Sequence, residues 1–357
     1  MENYSYVLGI VSYLGALWAL VVYGLISWLD DDRIFQAYNV TFLFLLGGFF
    51  LVWGGFSGDS LQLSNYFYWY LDKFPDVNDY FLYKAPLFLF GSLLDKVFHP
   101  PWPIKLMQVL VVALIGWAIF RFFSRSEGRA RLLALAILLI NPAFFFLAGN
   151  VVRQGIAAGL FLLTLTLFLN RKYVVYATLA VLAIAIHPSA LIPVLATLAV
   201  KTIPVQFLRV LLLIAPAMSF FCIWFLQDTW LVEKLIYRDN SEGALHYEKF
   251  VVIYLLAWLV LLNLARLPSE KIQFVARVFL LTTILSIGFL YFEIPFERFG
   301  LYAQLTLVLV LPSLIEIFEQ RYLSRNYLRK SAYCLSAIPS LVLWTHPAIL
   351  VSLGYLR

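Results

Sequence analysis

The stretch "AGNVVRQGIAAGLFLLTLTLFLNRKYVVYATLAVLAIAIHPSALIP", Ala148–Pro193, decides the fold. Two apolar runs, Arg153–Leu169 and Tyr173–Val200, flank the polar residues Asn170–Lys172. A bilayer core takes about 20 apolar residues per helix, so the first run is one membrane span. The second is too long for one comfortable span and carries His187-Pro188 and Pro193. It therefore predicts two short helices meeting at a break at 187–188. Such a break is tolerated at membrane depth only where the chain is packed in protein or lines a wet cavity.

Composition extends this picture to the whole chain. Hydrophobic residues make up 63% and charged residues 13% of the 357, with a mean hydropathy of +0.87. A soluble domain has about a quarter of its residues charged, so the composition excludes one and indicates a polytopic membrane protein. The net charge of +6 then belongs to membrane orientation and not to nucleic acid, for which no binding is expected. Cys222 and Cys334 lie in apolar segments and read as buried thiols without a disulfide framework. "MENYSYVLGI" lacks a basic n-region, so the first apolar stretch is expected to remain as a helix.

Further spans are predicted at Ser5–Trp28, Ile34–Trp53, Trp102–Phe123, Leu132–Leu147, Phe207–Leu226, Phe250–Leu264, Phe274–Phe292, Arg298–Phe318 and Ala332–Leu353. Four basic clusters orient them: Arg121–Arg131, Asn170–Lys172, Arg266–Arg277 and Arg321–Lys330. Placing all four in the cytoplasm puts both termini outside and requires residues 81–98 to be re-entrant or interfacial. The expectation is a single all-α integral membrane domain over 1–357 with about 10–12 transmembrane helices. Residues 54–101 form an external loop with interfacial or re-entrant helices, and 227–249 form a second external loop. Polar chemistry gathers on the external face, around Gly54–Tyr80, Asn150–Gln154, His187, Asp228–Lys249 and Glu293–Arg298.

Several short motifs invite a chemical reading. Gly155 and Gly159 form a GxxxG, which with Ala157 and Ala158 lets another helix approach closely. Arg153 stands beside it at a helix N-terminus, where free N–H groups and the dipole favour an anion. It is either an interfacial arginine or an anion clamp, with Asn150 and Gln154 sharing the neighbouring face. His187 is either an ordinary N-cap before Pro188 or a titratable imidazole at a broken helix. Glu293, Glu297, Arg298 and Tyr302 surround Pro295 and are either an interfacial turn or part of an external cavity. Gly58-Asp59-Ser60-Leu61 matches the nucleophile block of GDSL-type hydrolases, but it lies between membrane spans. The C-terminal "LWTHP" also lacks their aspartate, so its serine has no activating base. Asp30–Arg33 reads "DDDR", an acidic turn similar to one in dolichol-sugar transferases but without a partner constellation. Metal-binding, Walker and Rossmann motifs are absent from the sequence, and no metal or cofactor is expected.

In combination, Asp59 with Asn65-Tyr66, then "GNVVRQGIAAG", "AIAIHPSALIP" and "FERFGLY", resemble the landmarks of the EpsG/Wzy-like exopolysaccharide and O-antigen polymerases. They cover Gly54 to Tyr302. The chain departs from the pattern at Tyr83-Lys84-Ala85-Pro86, where family members often carry an acidic residue. The resemblance implies a GT-C-like glycosyltransferase at the external, periplasmic face of the bacterial inner membrane. Its substrate would be a polyprenyl-diphosphate-linked oligosaccharide, delivered by a flippase, and a chain-length regulator and membrane lipid would be partners. On that reading Arg153, Gln154 and Arg298 hold the diphosphate. His187, Asp59 and Glu297 are the candidate bases. Asn65, Tyr66, Trp69, Asn150 and Tyr302 meet sugars. The alternatives are an O-antigen ligase-type transferase and a non-enzymatic lipid or glycan transporter.

Overall fold

The computed structural model describes residues 94, 97–98, 102–124, 127–149, 151–226, 247–290 and 293–322. Among them the chain is helical throughout, with no strand, as an all-α polytopic membrane protein requires. Ten α-helices follow in order: α1 Trp102–Phe122, α2 Gly128–Ile140, α3 Pro142–Gly149, α4 Val152–Leu169, α5 Tyr173–Ile186, α6 Leu191–Ala199, α7 Val205–Leu226, α8 Tyr247–Asn263, α9 Glu270–Gly288 and α10 Glu293–Tyr322. Among the described residues, four stretches are long and apolar enough to cross a membrane: Lys105–Phe122, Val152–Leu169, Glu270–Gly288 and Phe296–Phe318. The expected spans at 5–28, 34–53 and 332–353, and residues 81–98 apart from Leu94, Val97 and Phe98, lie outside the described residues.

The chain divides into two compact units, Met1–Pro188 with Glu319–Arg357 and Ser189–Phe318. In the first, α4 is the centre, packed by α1, α3 and α5. The GxxxG seam explains why. A β-carbon added at Gly159 would stand 2.7 Å from the Leu114 Cβ, and one at Gly155 2.9 Å from Val111 Cγ2 and on the Leu147 carbonyl. Only hydrogen at these two positions lets α1 and α3 come so close. The contacts also give the register. Val111 faces Gly155 and Leu114–Ile115 faces Gly159, so α1 and α4 advance together and run parallel.

The α4–α5 hairpin is closed by a three-residue turn. The N–H of Arg171 bonds to Phe168 O at 3.1 Å and that of Lys172 to Leu167 O at 3.0 Å. This pair of bonds is a Schellman cap, which needs a left-handed residue after the C-cap Asn170. Arg171 fills that place with φ 59°, where glycine would be unstrained. Arg171→Gly should accordingly raise stability by about 1 kcal/mol, read as a higher thermal unfolding midpoint of the detergent-solubilised protein.

The predicted single span Leu132–Leu147 is broken. Asn141 has extended backbone (ψ 111°) and its side-chain Oδ1 accepts the Ala143 N–H at 3.0 Å, so it ends α2 and caps α3. Pro142 follows as the first residue of α3, the position where its missing N–H costs nothing. Asn-Pro does here what His-Pro does at 187–188. The "RFFSRSEGRAR" cluster also holds more than orientation charge. Arg131 is buried, donates to the carbonyls of Phe123 and Ser124 at 2.8 Å each, and lies over the Phe120 ring. It satisfies carbonyls left open at the end of α1 and ties α2 to it.

In the second unit α9 is the centre, packed by α6, α7 and α8. Its start is encoded by Ser269, whose Oγ accepts the Ile272 N–H at 3.3 Å, with Glu270 in the first turn. The helix thus begins four residues before the predicted Phe274 and takes in Glu270 and Lys271. Arg277 donates to the Ile203 carbonyl in the turn before α7. α10 likewise begins at Glu293 rather than Arg298, with Pro295 in a first turn that has no intrahelical partner to lose. At 30 residues it is about 45 Å long, more than a bilayer core needs. The expected external loop 227–249 ends earlier than predicted, since α8 starts at Tyr247.

Candidate functional site

Helical periodicity places Arg153 and His187 with respect to each other. On α5 the residues Tyr176, Ala180 and Ala183 are buried and form one stripe, and His187 continues it at the C-cap. That stripe faces α4, because the Tyr176 ring lies 4.9 Å from the Phe168 ring. On α4 the stripe through Phe168 runs back through Thr164, Phe161 and Ala157 to Arg153. Counting along the antiparallel pair from Phe168–Tyr176 brings His187 level with Ala157. Arg153 stands one turn further, about 6 Å along the axis. The two landmarks, distant in sequence, therefore share one seam at one end of the hairpin.

The backbone explains why His187 stops there. Its φ is −148° and ψ 115°, its N–H closes on Ala183 O at 2.9 Å, and Pro188 begins a short 3-10 turn, Pro188–Ala190. The extended residue before proline is what proline imposes. The imidazole is 6% exposed. Arg153 is half-buried in the first turn of α4, and Gln154 beside it is fully buried. A cation in the first turn opposes the helix dipole and destabilises the helix locally.

The second unit has its own constellation. Ser189 Oγ donates to the Tyr302 hydroxyl at 3.3 Å, and Ser286 Oγ to the Phe296 carbonyl at 2.8 Å. These bonds fix the first turns of α10 against Ser189 and α9. Tyr302 is fully buried, so the structure shows it in a packing and hydrogen-bonding place and not on an open face. Glu297 is half-buried and Arg298 exposed on α10. Ser189→Ala and Tyr302→Phe should each cost about 1 kcal/mol, and the double variant little more than either. A double-mutant cycle on thermal unfolding checks this.

Asp59, Asn65, Tyr66, Trp69 and Asn150 lie outside the described residues. Among the described residues no group of three or more His, Cys, Asp or Glu is placed to hold a metal ion. Sequence inspection missed three polar residues. Ser189 was hidden inside the His-Pro-Ser signal. Lys105 and Gln108, both buried on α1, were absorbed into an apolar span, although a lysine and an amide at i and i+3 in such a span were the available signal.

A family model described as the EpsG family matches residues 37–353. The chain belongs to the EpsG family. The "N-V-V-R-Q-G-I-A-A-G" seam and the His-Pro break thus lie within the EpsG match, and the chain is an exopolysaccharide-related membrane protein. It is also 28% identical over 156 residues to a protein of Ralstonia nicotianae named "EPS I polysaccharide export inner membrane protein EpsF". That match covers 41% of this chain and 36% of the relative, little more than a third of its length. No solved structure matches.

Proposed function

We propose that the chain is a polysaccharide polymerase of the bacterial inner membrane. It joins polyprenyl-diphosphate-linked oligosaccharide repeat units at the periplasmic face and releases polyprenyl diphosphate. The feature that supports this reading is the register of the α4–α5 hairpin, which sets Arg153 and His187 within a turn of each other along one seam. In the reaction a terminal sugar hydroxyl attacks the anomeric carbon of a second, lipid-linked chain. The C–O bond to the diphosphate breaks and the electron pair leaves with it. A leaving group of this kind needs its charge stabilised, and a guanidinium at a helix N-terminus supplies that in a site of low dielectric. The hydroxyl must lose its proton to a base, and His187 is suited to take it, with Asp59 and Glu297 as the carboxylate candidates. Gln154 and Arg298 complete the proposed diphosphate set. Asn65, Tyr66, Trp69 and Asn150 are the proposed sugar-side residues. A flippase would supply the substrate.

The name of the Ralstonia relative favours a second reading, in which the chain exports polysaccharide without forming bonds. Purified protein incubated with a synthetic polyprenyl-diphosphate-linked repeat unit separates the two. A polymerase yields a ladder of longer lipid-linked glycans and free polyprenyl diphosphate; an exporter leaves the substrate at one unit. Transfer to a different acceptor without a ladder would instead indicate a ligase.

A further inference from the structure

We infer that the α9–α10 interface holds an internal water, bound by the hydroxyls of Thr282, Thr283 and Ser286 beside Gly300. All three hydroxyl residues are fully buried in α9. Thr282 stands about 9 Å before the helix end at Gly288, inside the membrane-crossing stretch Glu270–Gly288. A buried threonine in a helix has a standard escape, which is to donate to the carbonyl three or four residues back. Thr164, Thr166, Thr197 and Thr306 all do so. Thr282 and Thr283 do not, and neither Oγ1 has a hydrogen-bond partner in the protein. A hydroxyl shut away from water is costly to leave unpaired, and lipid offers it no partner. A small polar ligand is the remaining source.

The contacts of Ser286 locate the site. At about 100° per residue, Thr282, Ser286 and Thr283 fall in that order within one arc of about 100° on α9. Ser286 Oγ donates to the Phe296 carbonyl at 2.8 Å, and a β-carbon at Gly300 would stand 3.5 Å from it. The rings of Phe289 and Phe299 meet at 5.5 Å. The arc therefore looks onto the first turns of α10, while Arg277, bonded to Ile203, leaves the opposite side of α9. There is also room. Gly300 is buried, yet Ser286 Oγ is the one atom of the described residues within 4 Å of its β-carbon position. Ser286 gives its proton to Phe296, so its lone pairs remain to accept. Side chains three and four residues apart on a helix stand about 5–6 Å from each other. One water spans that distance with two bonds of about 2.8 Å. Thr282 and Thr283 donate to it and it donates to Ser286, which gives the three partners typical of buried water. The three hydroxyls carry no charge, so a neutral ligand suits them better than an ion. The first turns of α10 are thus seated on α9 through water, with Arg298 on the far side of the helix.

The test uses the full chain in phosphatidylcholine nanodiscs. A high-resolution density map of the unaltered protein should show a solvent peak within about 3 Å of at least two of the three oxygens. No peak, with the threonine hydroxyls turned back onto helix carbonyls, overturns the inference whatever the variants do. Thr282→Val and Thr283→Val replace a hydroxyl by a methyl of nearly the same size. With the water present, each should lower the thermal unfolding midpoint by about 3 °C. The double variant should lose little more than either, because one water serves both. A midpoint that rises with valine means hydroxyls that had no partner, and additive losses mean no shared ligand; either result overturns the inference. A midpoint raised by sodium chloride over choline chloride in the unaltered chain, but not in Thr282→Val, also overturns it, since the site would then hold a cation.

Discussion

Arg153→Ala should lower polymer formation about a hundredfold or more in cells that hold the variant at normal level. Removing one preorganised donor from a site of developing charge costs about 10²–10³ in rate. Arg153 would supply both charge and a bidentate fork. Arg153→Lys keeps the charge but loses the fork, and should fall between the two. The readout is glycan length, together with the lipid-linked pool. Lost chemistry leaves single repeat units on the lipid, whereas lost export leaves full-length polymer held inside. Normal polymer length with Arg153→Ala at normal protein level would end the clamp hypothesis. The loss is not expected to come from unfolding, because Arg153 is half-buried in a first turn and its charge opposes the helix dipole there.

The second large effect is structural. Gly155→Val should destabilise the first unit by about 3 kcal/mol, the upper end of the usual cost of overpacking. The added β-carbon would fall on the Leu147 carbonyl and 2.9 Å from Val111 Cγ2. The carbonyl is backbone and cannot turn aside, so α3 must move off α4 as a whole. Gly159→Ala should cost less. It meets the Leu114 side chain at 2.7 Å and the Ile115 N at 3.4 Å, and a small shift of α1 relieves both. Gly288→Ala is the control, since nothing lies within 4 Å of its β-carbon. Protein level in membranes and thermal unfolding in detergent report the order. A Gly155→Val protein melting like the parent chain would show that the seam is not close-packed.

What the sequence made legible was what depends on local chemistry. Spans such as Arg153–Leu169 follow from an unbroken apolar run of span length, and the break at His187 follows from a His-Pro pair amid an over-long run. The break at Asn141-Pro142 has the same chemistry. It escaped because α2 and α3 together have the length of one ordinary span, so no excess length drew attention to it. Helix starts were misjudged where polar residues belong to the first turn, as at Glu270 and Glu293. A polar first turn looks like loop unless its cap, here Ser269, is read. The GxxxG motif announced a close approach but not its partner. That α1 enters in parallel with α4 is a tertiary fact with no local signature. The Ser189–Tyr302 bond, 113 residues apart, is another.

The interruption at Asn141 bears on how the chain enters the membrane during synthesis. With 13 and 8 residues, α2 and α3 reach only about 20 and 12 Å, each short of a roughly 30 Å hydrocarbon layer. Neither qualifies for stable integration by itself. The break between them puts a buried polar side chain, Asn141, at membrane depth, which is tolerable only where other helices cover it. Stable burial of residues 128–149 is therefore expected to depend on α4, which supplies the Gly155 face that Leu147 docks on. Truncating the chain before α4 should accordingly leave this region poorly integrated, which a membrane-extraction assay would read.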